Sequence, residues 1–295
     1  MDSKYKISVI VCIYNERECL LTALKSLRNN YIYNETEIIL IDDCSTDLFT
    51  QKILLRLKRF TSFKIIKSDK NLGLSNSRNL GFHHSSTDLI LPLDADDELP
   101  PKTLDIIYKI FLENPHIDFI VGDYYLNNLD TNEINLIECQ DITTNNIIDA
   151  KKLSSNWKLL GTSPCKKKAW QKIGGYDLEY SYTIQDVDFW IRIIQSGCIG
   201  VYLNTPIYKW NRSSTGMNSS LKSLMIINIL QKHLNFYLLS QSKKHLYNKI
   251  FEANYPFKQV KTINNLTKRY FFKLKLLNQI RSIYILFISI FKKNE

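Results

Sequence analysis

Glycine and proline are scarce in this chain of 295 residues, which contains nine glycines and seven prolines, and it shows no internal repeat. Hydrophobic residues make up 44% of the sequence, so there is ample material for a packed core. We therefore predict an ordered globular chain with disorder confined to its ends. The length allows one large domain or two small ones.

Paired cysteines are absent as well. The six cysteines are widely scattered, with no CxxC pair and no histidine at zinc-finger spacing. This pattern favours a reduced setting over a disulfide framework or a structural zinc site. The first residues, "MDSKYKISVIVCIYNE", lack a small-residue cleavage site and predict a first β-strand instead of a signal peptide. We expect a cytoplasmic protein.

Acidic residues are almost missing from one region only. Residues 1–242 hold 27 Lys and Arg against 27 Asp and Glu, whereas residues 243–295 hold 12 against 2. The formal net charge of +10 therefore belongs to the last part of the chain. A neutral body argues against a nucleic-acid-binding protein, and a basic tail indicates that the tail meets an anionic partner.

Continuous β-branched runs alternate with amphipathic segments in the first hundred residues. Such runs are typical of strands buried on both faces, and the alternation predicts a three-layer α/β protein with a parallel sheet. Asn15 and Glu18 fit a helix capping box, and Thr46 or Asp47 fits the cap of the next helix. The predicted strands are 7–13, 37–42, 63–67 and 88–94, and the predicted helices are those after Asn15, 47–60 and 74–85.

The later part of the chain is less regular. "IDFIVGDYYL", "EINLIEC" and "CIGVYLNTPIYKW" predict strands, and "IQDVDFWIRIIQSG" predicts a helix that stops at glycine. We assign residues 1–216 to one α/β domain and residues 217–295 to a helical C-terminal region.

Carboxylates gather where two predicted strands end. Asp42 and Asp43 follow one strand, and "LPLDADDELPP" places Asp94, Asp96 and Asp97 after another. Ligands of parallel α/β sheets bind beyond the carboxyl ends of the strands, and adjacent carboxylates suit Mg²⁺ or Mn²⁺ with a diphosphate. The alternatives are a turn that caps the helix near Pro100 for the second group, and an Asx turn for the first.

Five segments in order resemble family 2 glycosyltransferases, the inverting sugar-nucleotide enzymes of the GT-A fold. They are "ISVIVCIYNE", "IILIDDCSTD", "NLGLSNSRNLG", "LILPLDADD" and "IGGYDLEYSYTIQDVDFWIRI", the last of which is similar to that family's GG-F/Y-D and E-D-x-D segment. The resemblance implies a Rossmann-like, mostly parallel sheet in an α/β/α sandwich.

The resemblance also implies roles for the residues of the donor site. Asp43, with Asp42 beside it, would contact the nucleobase, Asp94 would face the ribose and the metal, and Asp96 would ligate Mn²⁺ or Mg²⁺. Arg78 in "NSRN" would supply a cation to the diphosphate; its alternative is a surface ion pair. Arg212 would reach the diphosphate; its alternative is a solvated loop residue.

The same match makes Asp186 the general base that takes the proton of the acceptor hydroxyl. The alternative for Asp186 is the N-cap of a helix over 187–196. One residue earlier the sequence departs from the family, because Gln185 stands where a glutamate is usual. Asp188 and Arg192, four residues apart, are expected to pair along the helix.

The partners implied are a nucleotide-sugar donor, most simply a UDP-sugar, and a glycan or lipid-linked glycan acceptor. A competing interpretation is a sugar nucleotidyltransferase, which needs a Gly-rich basic loop after the first strand that "CIYNERE" does not supply. Polar residues recur every seven positions in the tail, residues 266–293. This stripe predicts a helix on an anionic membrane surface or, alternatively, a homodimer interface.

Overall fold

The computed structural model describes residues 4–60, 62–155, 158, 161–182, 184–214, 228–230, 232–233 and 236–237. The predicted tail helix, 266–293, lies outside these residues, as does most of the predicted helical region after residue 216. The boundary between the two predicted regions therefore stays a prediction. No helix within the described residues is long and apolar enough to cross a membrane.

The described residues form one sheet of ten strands. The strands are β1 Ile7–Ile13, β2 Thr36–Asp42, β3 Phe63–Lys67, β4 Leu89–Asp94, β5 Phe119–Asn128, β6 Glu133–Ile137, β7 Thr143–Thr144, β8 Ile147–Ile148, β9 Cys165–Lys166 and β10 Gly200–Arg212. The α-helices are α1 Glu18–Leu27, α2 Leu48–Leu57, α3 Leu74–His84, α4 Thr103–Glu113, α5 Ala150–Ser155, α6 Lys167–Lys172 and α7 Gln185–Gln195.

The first four strands lie in the order β3-β2-β1-β4. Strands β2 and β3 are added on one side of β1 and β4 on the other, so the strand order reverses between β1 and β4. β1 pairs in parallel with both β2 and β4, and every residue of β1 and β2 is buried. Burial on both faces explains why these strands read as continuous apolar runs instead of alternating ones. The reversal opens a crevice beyond the carboxyl ends of β1 and β4, where ligands of such sheets bind.

The second half of the chain extends the same sheet. β9 runs antiparallel between β4 and β5, and β5 pairs in parallel with β10. The three long predicted strands are β5, β6 and β10, but the two-residue strands β7, β8 and β9 were not predicted, because segments that short carry no periodicity.

Close packing of α3 on β1 requires a glycine. A Cβ atom added at Gly81 would lie 2.3 Å from Cγ2 of Ile10, so any larger residue would push the helix off the strand. α3 therefore lies tight against β1 and carries Arg78 under the crevice.

The predicted capping box at the start of α1 is wrong. Asn15 adopts a left-handed backbone conformation, and its Oδ1 accepts hydrogen bonds from the backbone N–H groups of Thr46 and Asp47, both at 2.8 Å. The side chain thus ties the loop after β1 to the loop after β2, and this tertiary contact competes with the local cap. The cap at Asp47 is confirmed, since its carboxylate accepts from the N–H of Thr50 at 2.8 Å.

Candidate active site

The ion pair of Asp94 with Arg78 lies at the carboxyl edge of β4. Asp94 is the last residue of β4 and pairs in register with Cys12 of β1, so it stands at the crevice. Its Oδ1 accepts a hydrogen bond of 2.7 Å from Nη2 of Arg78. The Asp94 side chain is 31% exposed, whereas that of Arg78 is 2% exposed. The pair therefore consists of a partly exposed carboxylate and a buried guanidinium that binds it from the protein interior.

Arg78 is not the surface residue that the alternative interpretation expected. Its guanidinium lies 5.4 Å from the ring centre of Tyr176, and its Nε and Nη1 atoms have no hydrogen-bond partner among the described residues. Burial disfavours the charged form, but the neighbouring Asp94 carboxylate raises the pKa of Arg78, so the cation persists. A buried cation with unused N–H groups is costly unless an anion or water meets it.

Asp97 and Glu98 do not begin a helix, which corrects one predicted alternative. Asp97 is 3% exposed, and its carboxylate accepts hydrogen bonds from the Tyr208 hydroxyl at 2.8 Å and from the Asn211 N–H at 2.7 Å. Glu98 pairs with Lys209 at 2.7 Å. Both side chains thus fasten the loop after β4 to β10, and α4 begins later, at Thr103.

Asp96, the other predicted metal ligand, has an exposed side chain at the mouth of the crevice. Crowding by protein atoms removes water from its carboxylate and, with the charge of Asp94, raises the pKa of Asp96 to about 6.

Glu16 lies just past β1 and was missed by the sequence reasoning. Desolvation, followed by the charges of Asp96 and Asp94, raises its pKa to about 8. The charges of Asp96 and Asp94 therefore act on the Glu16 carboxyl group across the end of β1. The only sequence signal was that Glu16 follows "YN" at the end of the first strand.

The acidic edge suits a cation that brings further ligands with it. Among the described residues, no three His, Cys, Asp or Glu side chains converge closely enough to hold a metal ion by themselves. Mg²⁺ typically takes one or two protein carboxylates and completes its shell with water and phosphate oxygens. Asp94 and Asp96 match that requirement, and a hard cation would offset both the desolvation of the Asp96 carboxylate and its repulsion by Asp94, which together raise the pKa of Asp96.

Asp42 and Asp43 lie buried at the end of β2. Asp42 Oδ1 accepts from the N–H of Ser45 at 2.8 Å, the turn that the alternative interpretation predicted. The two oxygens of Asp43 accept from the N–H groups of Leu72 and Gly73 at 2.9 and 2.8 Å. Asp43 therefore connects β2 to the start of α3, and each of its oxygens keeps a second lone pair for another donor.

Asp186 lies in the first turn of α7, after the N-cap residue Ile184, so the alternative interpretation of Asp186 as the N-cap is wrong. Its Oδ1 accepts from the N–H of Val187 at 2.9 Å. Burial raises the pKa of Asp186, and the positive charge of Arg78 opposes that rise. The carboxylate is therefore a stronger base than an ordinary exposed aspartate, without losing its charge to burial alone.

Gly161 brings Asp186 and Arg78 together. A Cβ atom added at Gly161 would lie 2.6 Å from Cβ of Asp186 and 2.9 Å from Nη1 of Arg78. Both side chains thus pack against the same glycine, one from α7 and one from α3. The sequence reasoning did not single out this glycine, because its role depends on two segments distant in the chain.

Asp188 pairs with Arg192 as predicted, at 2.7 Å from Oδ2 to Nε. Asp188 is fully buried and also contacts Lys232 and His233. Arg212 is exposed at the end of β10, with its guanidinium 5.8 Å from the ring centre of Trp210. The structure thus brings Asp94, Arg78 and Asp186 together, and shows no contact between Arg212 and those three.

Comparison with known proteins agrees with this geometry. Residues 8–171 match the sequence model described as glycosyl transferase family 2, which covers more than half of the chain. The chain belongs to glycosyltransferase family 2. The matched part contains β1 to β4 and the carboxylate edge, and it ends before Asp186.

Relatives of this family 2 glycosyltransferase span most of its length. An uncharacterized glycosyltransferase of Haemophilus influenzae is 25% identical, over 91% of this chain and 89% of that protein. UDP-Gal:alpha-D-GlcNAc-diphosphoundecaprenol beta-1,3-galactosyltransferase of Escherichia coli is also 25% identical, over 68% of this chain and 71% of that protein.

A solved structure confirms the GT-A fold. S. aureus TarS, residues 1–349, in complex with UDP-GlcNAc superposes with a TM-score of 0.64. It is 17% identical and covers 84% of this chain and 71% of that one. At this identity the likeness concerns the fold, which is the Rossmann-like, mostly parallel sheet that the sequence predicted.

Proposed function

We propose that this glycosyltransferase moves one sugar from a UDP-sugar to a hydroxyl of a glycan or lipid-linked glycan, with inversion at the anomeric carbon. The observation that carries the proposal is the convergence of Asp94 and Asp186 on one buried cation, Arg78. Inverting transfer needs a site for the departing nucleotide and a base on the opposite side of the sugar. The two carboxylates supply these two functions.

The donor assignment draws support from two proteins. TarS binds UDP-GlcNAc, and the Escherichia coli relative is a galactosyltransferase that uses UDP-Gal and a diphosphoundecaprenol-linked acceptor. We therefore assign the transferred group to the hexoses or N-acetylhexosamines, and the pathway to polysaccharide or glycan biosynthesis.

Asp43, with Asp42 behind it, contacts the nucleobase, because a carboxylate accepts well from the N3–H of uracil. Asp94 faces the ribose. Arg78 balances the charge of the diphosphate through its N–H groups, directly or through water, and Arg212 joins it from the end of β10.

Asp96 and Asp94 hold Mn²⁺ or Mg²⁺, which would supply Lewis acidity toward the leaving diphosphate. The protein's own part is to keep these two carboxylates crowded and partly desolvated, so that a cation is favoured there. Glu16 adds a third carboxyl group near the same edge, and its raised pKa of about 8 keeps it largely protonated near neutral pH.

Asp186 takes the proton of the acceptor hydroxyl as that oxygen attacks the sugar. The raised pKa of Asp186 improves its basicity, and the positive charge of Arg78 favours its ionised form. Gln185 leaves Asp186 without a second carboxylate beside it, so burial supplies the shift that a neighbouring glutamate would otherwise give.

The experiment uses the full chain with UDP-, GDP-, dTDP- and CMP-sugars, in Mn²⁺, in Mg²⁺ and in EDTA. We expect nucleotide release from a UDP-sugar that is lost in EDTA, and a product of inverted anomeric configuration by NMR. Release from a nucleotide other than UDP would contradict the donor assignment. A product of retained configuration would contradict the role of Asp186 as base.

A further inference from the structure

A carboxylate two residues beyond the proposed base, that of Asp188, is held by three side chains from two parts of the chain. Asp188 is fully buried. Its Oδ2 accepts from Nε of Arg192 at 2.7 Å, within α7. Its Oδ1 lies 2.8 Å from Nε2 of His233 and 2.7 Å from Nζ of Lys232. Hence side chains 44 and 45 residues downstream bind the first turn of the helix that carries Asp186.

That first turn lacks the usual local support. The N-cap residue, Ile184, makes no side-chain capping hydrogen bond and has a φ of 49°. A β-branched residue in the left-handed region is strained and persists only where the surrounding structure imposes it. Contacts from outside the helix must therefore determine where the turn lies.

Lys232 extends the same restraint to the loop before α7. Its Nζ lies 2.5 Å from Oδ2 of Asp177 and 5.0 Å from the ring centre of Tyr180. That loop in turn contacts the donor side, because the carbonyl of Ser181 accepts from the N–H of Leu74 at 2.9 Å. One side chain thus connects the loop, the start of α7 and, through the loop, the start of α3.

These polar contacts are not needed to dock the segment that carries them. Ile229 and Tyr237 are fully buried, and Leu230 and Phe236 are 3% and 5% exposed. Apolar burial holds the segment on the domain. Buried ion pairs add little net stability compared with apolar packing, so their contribution here is the geometry they impose.

We propose that Lys232 and His233 are positioning residues that set the location of Asp186 through Asp188. This inference rests on the proposed role of Asp186 as base. Neither side chain touches the donor or the acceptor. Both act through the Asp188 carboxylate, which lies in the same helical turn as the base.

The test compares Lys232→Gln, His233→Asn and Lys232→Arg in the full chain, with Lys109→Gln as control. Lys109 lies in an exposed ion pair on α4, with its side chain 72% exposed. We expect kcat to fall about tenfold or more in the first two variants, because a small misplacement of a catalytic group is costly. The KM for the donor and the affinity for UDP should stay within about twofold, because the donor contacts remain. Lys232→Arg, which keeps the cation, should retain most of the activity.

Hydrogen exchange at the amides of residues 184–189 gives a readout that does not need activity. We expect faster exchange in Lys232→Gln and His233→Asn, and unchanged exchange in Lys109→Gln. Unchanged kcat and exchange in both variants would overturn the inference, as would an equal loss of kcat and UDP affinity. If the wild type transfers no sugar, the proposed function fails, and exchange alone decides whether Lys232 and His233 anchor this turn.

Discussion

Buried polar groups differ in their hydrogen bonding between the amino end and the carboxyl end of the parallel strands. At the amino end, Glu37 of β2 is 8% exposed and accepts from the Ser8 hydroxyl at 2.5 Å and from the Ser86 N–H at 2.8 Å. At the carboxyl end, several buried polar atoms have no partner within the described part of the chain. They belong to Ser75, Ser77, Arg78, Thr162, Ser181 and Gln185.

The charges show the same contrast. The carboxyl groups whose pKa is raised lie around the crevice; they are Glu16, Asp96, Asp97 and Asp186. Left-handed backbone occurs beside them at Asn15, Arg17, Cys44 and Ile184, and elsewhere among the described residues at Lys102, Asn132, Asn145 and Asn146. Unpaired groups and strain are expected where a substrate completes the interactions. We therefore expect substitutions at the amino end to change stability, and substitutions at the carboxyl end to change donor binding and transfer.

The largest expected effect is that of Asp186→Asn at the carboxyl end. Loss of a general base lowers kcat by about 10²- to 10⁴-fold. Stability should be unchanged or slightly higher, because the amide removes a carboxylate whose burial raises its pKa. Steady-state kinetics and thermal unfolding at neutral pH measure both. Glu113→Gln, in an exposed pair on α4, serves as control. Retained transfer, or a large loss of stability, would contradict the expectation that Asp186 acts in transfer and not in stability.

The second effect is that of Glu37→Ala at the amino end. The Ser86 N–H loses its carboxylate acceptor, and the buried Ser8 hydroxyl loses one of two side-chain partners, the other being Oγ1 of Thr87 at 2.8 Å. Loss of these charge-assisted hydrogen bonds lowers the free energy of unfolding by about 1–3 kcal/mol. Affinity for UDP should stay the same, since the substituted group lies at the opposite end of the strands. Urea unfolding and UDP titration test this. A variant of normal stability that no longer binds UDP would show that the two ends are not separate in function.

The smallest effect is a pH dependence of stability that Glu16 introduces. The pKa of Glu16 is about 8 in the folded protein against an ordinary value of 4.5. The folded state therefore holds the proton more tightly, and the contribution of Glu16 is full below about pH 4.5 and is lost as pH rises toward 8.

Glu16→Gln should remove this slope, so in EDTA the wild type should lose stability relative to the variant between pH 5 and pH 8. Because Glu16 is partly exposed and counterions screen it, we expect ~1 kcal/mol or less. Thermal unfolding of both proteins across that range measures the difference. A difference that is constant with pH, or that changes in the opposite direction, would contradict the crowding of carboxylates at this edge.

The parts of this molecule that the sequence predicts are those determined by local patterns. Continuous apolar runs predicted β1 and β2, and the carboxylates after β4 predicted the donor edge. Predictions from local sequence patterns are wrong where a tertiary contact competes with the local interaction. Asn15 spans two loops instead of capping α1, and Asp97 binds β10 instead of starting α4.

Three features of the site could not be predicted, because each joins residues far apart in the chain. Asp186 and Arg78 both pack against Gly161, the charges of Asp94 and Asp96 act on Glu16, and Asp188 pairs with Lys232 and His233. No spacing rule connects such residues before the sheet has brought them together.

The most direct test of the central claim is calorimetric titration of UDP into the full chain, with Mn²⁺ and with EDTA, for the wild type and for Asp96→Asn. We expect the wild type to bind UDP in Mn²⁺, and binding at least about tenfold weaker in EDTA or in Asp96→Asn, because Asp94 and Asp96 would hold the metal that neutralises charge on the diphosphate. Equal UDP affinity in all four titrations would contradict a metal–nucleotide site at the carboxyl edge of β4.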